Sequence, residues 1–128
     1  MSTDEGNEGG ITGTWSNEVG SKVTFKCNNG QLDGTYTSAV GDAEDSYNLT
    51  GRYILEPNGV VLLGWVVAWN NKKFGNSHST TSWSGIYYAQ EKVIRTQWLL
   101  TKYNKDQDPP QGYWETTTIN HADFRKVE

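Results

Sequence analysis

The chain has 128 residues, enough for one domain with its own core and too few for a two-domain enzyme. Eleven Lys and Arg against fifteen Asp and Glu give a formal net charge of −4, and no basic stripe offers a footprint for nucleic acid or an anionic membrane surface. Hydrophobic residues make up 34% of the chain, and no apolar run reaches the ~20 residues of a membrane-spanning helix. Fourteen glycines, 12% aromatics and many Thr and Val describe an all-β protein without a helical period. Cys27 is the single cysteine, so no intrachain disulfide is available, and stability must come from the sheet and any oligomer contacts.

Residues 1–10 are acidic and Gly-containing with no hydrophobic anchor, which predicts a disordered tail ahead of a domain over 11–128. Met1 opens that stretch without an apolar signal segment, as in a cytosolic chain or one whose signal peptide has been replaced by a start codon. Alternating apolar and polar residues bounded by turn signals then predict strands over 11–17, 22–27, 32–38, 47–55, 60–69, 79–89, 93–102 and 113–126. Asn28-Asn29-Gly30, Pro57-Asn58-Gly59 and Gln90-Glu91-Lys92 read as hairpin turns. Longer loops are expected over 39–46, 70–78 and 103–112. Tight turns at one end and longer loops at the other predict an eight-stranded antiparallel up-and-down β-barrel, the size that holds one small ligand, with a β-sandwich as the alternative. Asn48-Leu49-Thr50 is a glycosylation sequon inside a strand.

Strand side chains alternate faces, so Trp69 shares a face with Val67, Trp83 with Thr81 and Ser79, and Trp98 with Leu100. Hydroxyls beside Trp on an inner face do not make an ordinary core, because a buried hydroxyl costs free energy until it finds a partner. Asn17 lies two residues after Trp15, and Ser38 two after Tyr36, so each inner face ends in a hydrogen-bonding group near the long-loop end. Convergent polar groups at the mouth of an apolar cavity predict a small-molecule site. An enzyme is the weaker reading. Asp42, Glu44 and Asp45 lie clustered in a loop, as solvated acids do, and His78 and His121 lack partners at metal-ligand spacing. A lipocalin-like carrier of another apolar ligand would need a mostly aliphatic lining.

Several ordered segments carry a more specific likeness. They are GITGTW ending at Trp15, GTY ending at Tyr36 with SAVG from Ser38, LTGRY from Leu49, and LGW ending at Trp65 with VAW ending at Trp69. His78-Ser79 with WSG from Trp83, TQWLLT from Thr96, and Phe124 complete the series. In these the chain resembles the avidin and streptavidin family over nearly its full length. The resemblance implies a non-catalytic, secreted homotetramer of barrels, each binding one biotin or biotinylated molecule, with no cofactor or metal. It implies that Asn17, Ser21 and Tyr36 donate to the ureido oxygen and that Ser38 accepts from one ureido N–H. Thr81 would face the thioether sulfur, while Trp69, Trp83, Trp98, Leu100 and Val40 enclose the rings and chain. Ser79 and the backbone N–H of Asp42 would meet the carboxylate, and Trp114 would reach into a neighbouring subunit's site. The chain departs from the family at Ala122, where the members have an Asp or Asn that accepts from the second ureido N–H. Asp123 stands next to it, out of phase unless the strand slips.

Overall fold

A strand that is apolar on alternate residues has one face to bury, and eight such strands can bury theirs together by curling around a shared interior. The structure, a computed structural model, describes residues 8–37, 46–103 and 116–127. Its strands are β1 (Gly13–Ser16), β2 (Lys22–Asn28), β3 (Gln31–Thr37), β4 (Ser46–Leu55), β5 (Val61–Asn71), β6 (Gly75–Tyr88), β7 (Val93–Lys102) and β8 (Thr117–Lys126). Each pairs with the next, and β8 pairs antiparallel with β1 to close the barrel. Among the described residues no helix is long and apolar enough to cross a membrane.

The alternation survives intact where it was strongest. On β2, Val23, Phe25 and Cys27 are buried while Lys22 and Lys26 are exposed. Across β5 to β8 the register stacks successive rows: Val61, Tyr87, Ile94 and Phe124 at the closed end, then Leu63, Gly85, Thr96 and Ala122. The next row is Trp65, Trp83, Trp98 and Asn120, and above it lie Val67, Thr81 and Leu100. Along the barrel axis the tryptophan row therefore stands between mixed aliphatic and aromatic rows on one side and the row bearing the Thr81 hydroxyl on the other, an order set by which residue types occupy the inward phase. At the closed end, Asn29 and Gly30 have φ of 51° and 86°, the two positive values that a two-residue hairpin between β2 and β3 requires.

Three boundaries differ from the sequence expectation. The stretch 70–78 is mostly strand: β5 runs to Asn71 and β6 starts at Gly75, with a register shift between Ala68 and Asn70. Asparagine side chains stabilise this hairpin, Asn71 Oδ1 accepting from Phe74 N and Asn76 Oδ1 from His78 N, each at 2.7 Å. The expected tail ends in ordered chain, because Glu8–Gly10 forms a 3-10 turn whose Gly9 backbone lies against Leu55 and Val61. Finally, β1 stops at Ser16 and the chain turns away at Asn17, so β1 meets β8 only at Trp15 with Lys126 and Ser16 with Arg125. Val127 N extends this seam by donating to Thr14 O at 2.8 Å, and the Lys126 ammonium sits 5.1 Å over the Trp15 ring.

Candidate ligand-binding site

The open end of the barrel holds a cavity of about 600 Å³, within the range of small-molecule pockets. Nine of the residues singled out in the sequence line it: Asn17, Ser21, Tyr36, Trp69, Ser79, Thr81, Trp83, Trp98 and Leu100. Ser38, Val40, Asp42 and Trp114 lie outside the described residues. Ala122 is buried and in the wall, whereas Asp123 points outward and pairs with Arg95 at 2.7 Å, so β8 has not slipped.

The polar pole is built by the turn after β1. Asn17 Oδ1 accepts from Val19 N at 3.1 Å and Ser21 N at 3.0 Å, which occupies its carbonyl and leaves the amide N–H groups to face other partners. The Tyr36 hydroxyl lies in hydrogen-bond contact with the Ser21 and Asn17 side chains. Burial raises the Tyr36 pKa above its ordinary value, and those two hydrogen bonds pull the other way without cancelling the rise. The phenol is therefore neutral and a donor throughout the physiological range. The Ser21 hydroxyl, the Tyr36 hydroxyl and the Asn17 amide meet at one point, which suits a polarised carbonyl oxygen.

The aromatic walls brace one another. Trp83 stacks on Trp65 with ring centroids 5.2 Å apart and planes 12° from parallel, and on Tyr36 at 5.0 Å and 29°. Trp69 meets Tyr36 edge-on at 5.5 Å and Tyr47 at 4.9 Å. Trp69 Nε1 donates to Thr81 Oγ1 at 2.8 Å, which fixes the indole and leaves the Thr81 hydroxyl hydrogen available to another acceptor. Such mutual support pre-forms the cavity, so little ordering is left for a ligand to induce.

Sequence reasoning missed Tyr47, Glu18, Val19, Ser77, Asn120 and His121, all of which line the cavity. Tyr47 was within reach, since it faces Tyr36 across β3 and β4 and shares the inward phase of Leu49. Glu18 had no such signal, because it stands outside any alternating run. Among the described residues no group of three or more His, Cys, Asp or Glu is arranged to hold a metal ion.

Comparisons with known proteins agree with this architecture. The Avidin family model matches residues 5–127. Avidin-related protein 2 of Gallus gallus is 28% identical over 123 residues, which cover 91% of this chain and 77% of the relative. The crystal structure of xenavidin superposes with a TM-score of 0.72 at 26% identity, covering 91% of this chain and 96% of that one. A biotin binding protein from chicken, known from its X-ray structure, gives a TM-score of 0.72 at 25% identity, over 92% and 96%. With a family match that spans almost its entire length and a closed eight-stranded barrel to accompany it, the chain belongs to the avidin family.

Proposed function

We propose that the protein binds biotin in the open end of its barrel, as a binding protein without turnover. The observation that carries this reading is the meeting of the Asn17, Ser21 and Tyr36 side chains at one pole of a tryptophan-walled cavity. A ureido oxygen takes up all three donors, while a fatty ligand brings no acceptor and leaves them only one another as partners. Trp69, Trp83, Trp98 and Leu100 cover the fused rings, and the Thr81 hydroxyl faces the sulfur. Ser79, near the rim, meets the carboxylate. The resemblance assigns the rest of the enclosure to Ser38, Val40 and the Asp42 backbone N–H, which lie outside the described residues.

The same reading makes the protein a secreted homotetramer in which Trp114 closes the pocket of a neighbouring subunit. Its support lies on the outer face, where Val66, Ser82, Leu99 and Ile119 form one continuous row across β5 to β8. The three apolar members are 39%, 41% and 69% exposed in the single chain, an apolar strip that a second copy would cover. Beside it runs a groove lined by Leu62, Ile86, Gln97 and the Arg95–Asp123 pair.

Retention on biotin-agarose through a high-salt wash, with release by free biotin or denaturant, is the expected result. Elution in the wash would end the proposal. Faster release of labelled biotin from Trp114→Ala than from the parent checks the contribution in trans, and equal release would remove it.

A further inference from the structure

A cyclic urea carries one N–H on each side of its oxygen. Once the oxygen is held at Asn17, Ser21 and Tyr36, the side of the pocket toward β8 must supply an acceptor or leave a buried donor unpaired. The wall there is Ala122, which has no polar side-chain atom, and its carbonyl already accepts from Thr96 Oγ1 at 2.8 Å. Asn120 Oδ1 already accepts one hydrogen bond, from His121 N at 2.8 Å, and the same amide presents an N–H₂ that would confront the ligand's donor. Glu18 is the sole carboxylate among the described residues that line the cavity.

Its position follows from the short seam. Because β1 ends at Ser16, the β8 edge beyond Arg125 has no strand beside it, and Asp123 N would be left without a ladder partner. Glu18, in the turn that leaves β1, fills that gap, its Oε1 accepting from Asp123 N at 3.1 Å. The side chain therefore reaches from the β1 turn to the strand that bears Ala122, and one of its two carboxylate oxygens is spent on the backbone.

We propose that Glu18 supplies the acceptor that Ala122 cannot, its second carboxylate oxygen receiving the ureido N–H on the β8 side and so selecting ligands that carry a hydrogen there. This rests on the biotin reading above. It places the acceptor on the β1 turn instead of on β8, and it couples ligand recognition to closure of the seam.

Glu18→Gln separates the two duties of the side chain. The Gln carbonyl can still accept from Asp123 N, so the ligand-free melting temperature should match the parent, but the other arm becomes an N–H₂ that confronts the ligand's N–H. Labelled biotin should then leave about ten- to a hundredfold faster. In the double variant Glu18→Gln with Ala122→Asp, an acceptor returns on β8 and slow release should be restored. The ligand side gives a second arm: of the two biotins methylated at one ureido nitrogen, one should lose its affinity for the parent and be indifferent to Glu18→Gln. A parent that does not hold biotin removes the biotin reading and this inference with it. A parent that holds biotin while Glu18→Gln releases it at the parental rate overturns this inference alone. Equal acceleration for biotin and both methylated forms also overturns it, since the effect would then be structural, and so does a loss confined to Asn120→Ala.

Discussion

Tyr36 joins the two halves of the pocket, since its ring stacks on Trp83 and its hydroxyl meets Ser21 and Asn17. Tyr36→Phe keeps the ring and removes the donor. Release of labelled biotin should be about ten- to a hundredfold faster, and an unchanged off-rate would mean that Asn17 and Ser21 suffice. Burial raises the folded-state pKa of Tyr36 above its ordinary value, which is 10.0. Folded and unfolded chains both keep the phenol protonated below that value, so its contribution to stability is fully present there. It is lost as pH rises past the ordinary value and through the folded one. On this account the contribution of Tyr36 to the melting temperature is constant from neutrality to about pH 9. It then falls in strongly alkaline solution, and Tyr36→Phe should show a shallower alkaline fall than the parent.

Strands were legible wherever side-chain type alternates strictly, and the pocket was legible wherever a Trp or hydroxyl sits in the same phase as its neighbours. Val23 to Cys27 follows that rule, with Val, Phe and Cys inward and Thr and Lys between them, whereas Val61 to Val67 alternates in burial alone, its outward Leu62 and Val66 being as apolar as its inward residues. The extension of β5 and β6 through Asn71 and Gly75 was not legible, because its backbone is held by asparagine side chains and its faces are both exposed. Glu18 was equally hidden, since its partner Asp123 lies at the far end of the chain. Glycine at 51 marks a further element-level demand: a Cβ there would sit 1.9 Å from Gly64 O, so β4 and β5 approach more closely than a side chain permits. Gly51→Ala should lower stability by about 1–3 kcal/mol as the two strands part, measured as a shift in the urea midpoint. The outer row belongs to the same scale. Leu99→Lys with Ile119→Lys would place two charges in the strip that the proposed tetramer would bury, and light scattering should then report a smaller species than the parent. A monomeric parent would refute the tetramer outright.

For the molecule as a whole, a ligand that only the folded barrel binds stabilises it by RT ln(1 + [L]/Kd), about 4 kcal/mol at a thousandfold excess over Kd. Saturating biotin should therefore raise the melting temperature by many degrees, and a melting temperature unmoved by biotin would contradict the assignment. The seam between β1 and β8 adds a matter of timing. Neighbouring strands in the barrel are neighbours in the chain, except at this one joint, where Trp15 and Ser16 must find Lys126 and Arg125. A meander of β2 to β8 can assemble by successive local hairpins, but the ring closes only when the two ends of the chain meet, the contact with the largest loop-closure cost. Closure is then the late step of folding and, run backwards, the first opening on the way out. The cavity wall includes Asn17 just past β1 and Ala122 on β8, so an occupant fastens both lips of that opening. Bound ligand should accordingly act as a latch in time, slowing unfolding in denaturant while leaving the refolding rate of the empty chain as it was.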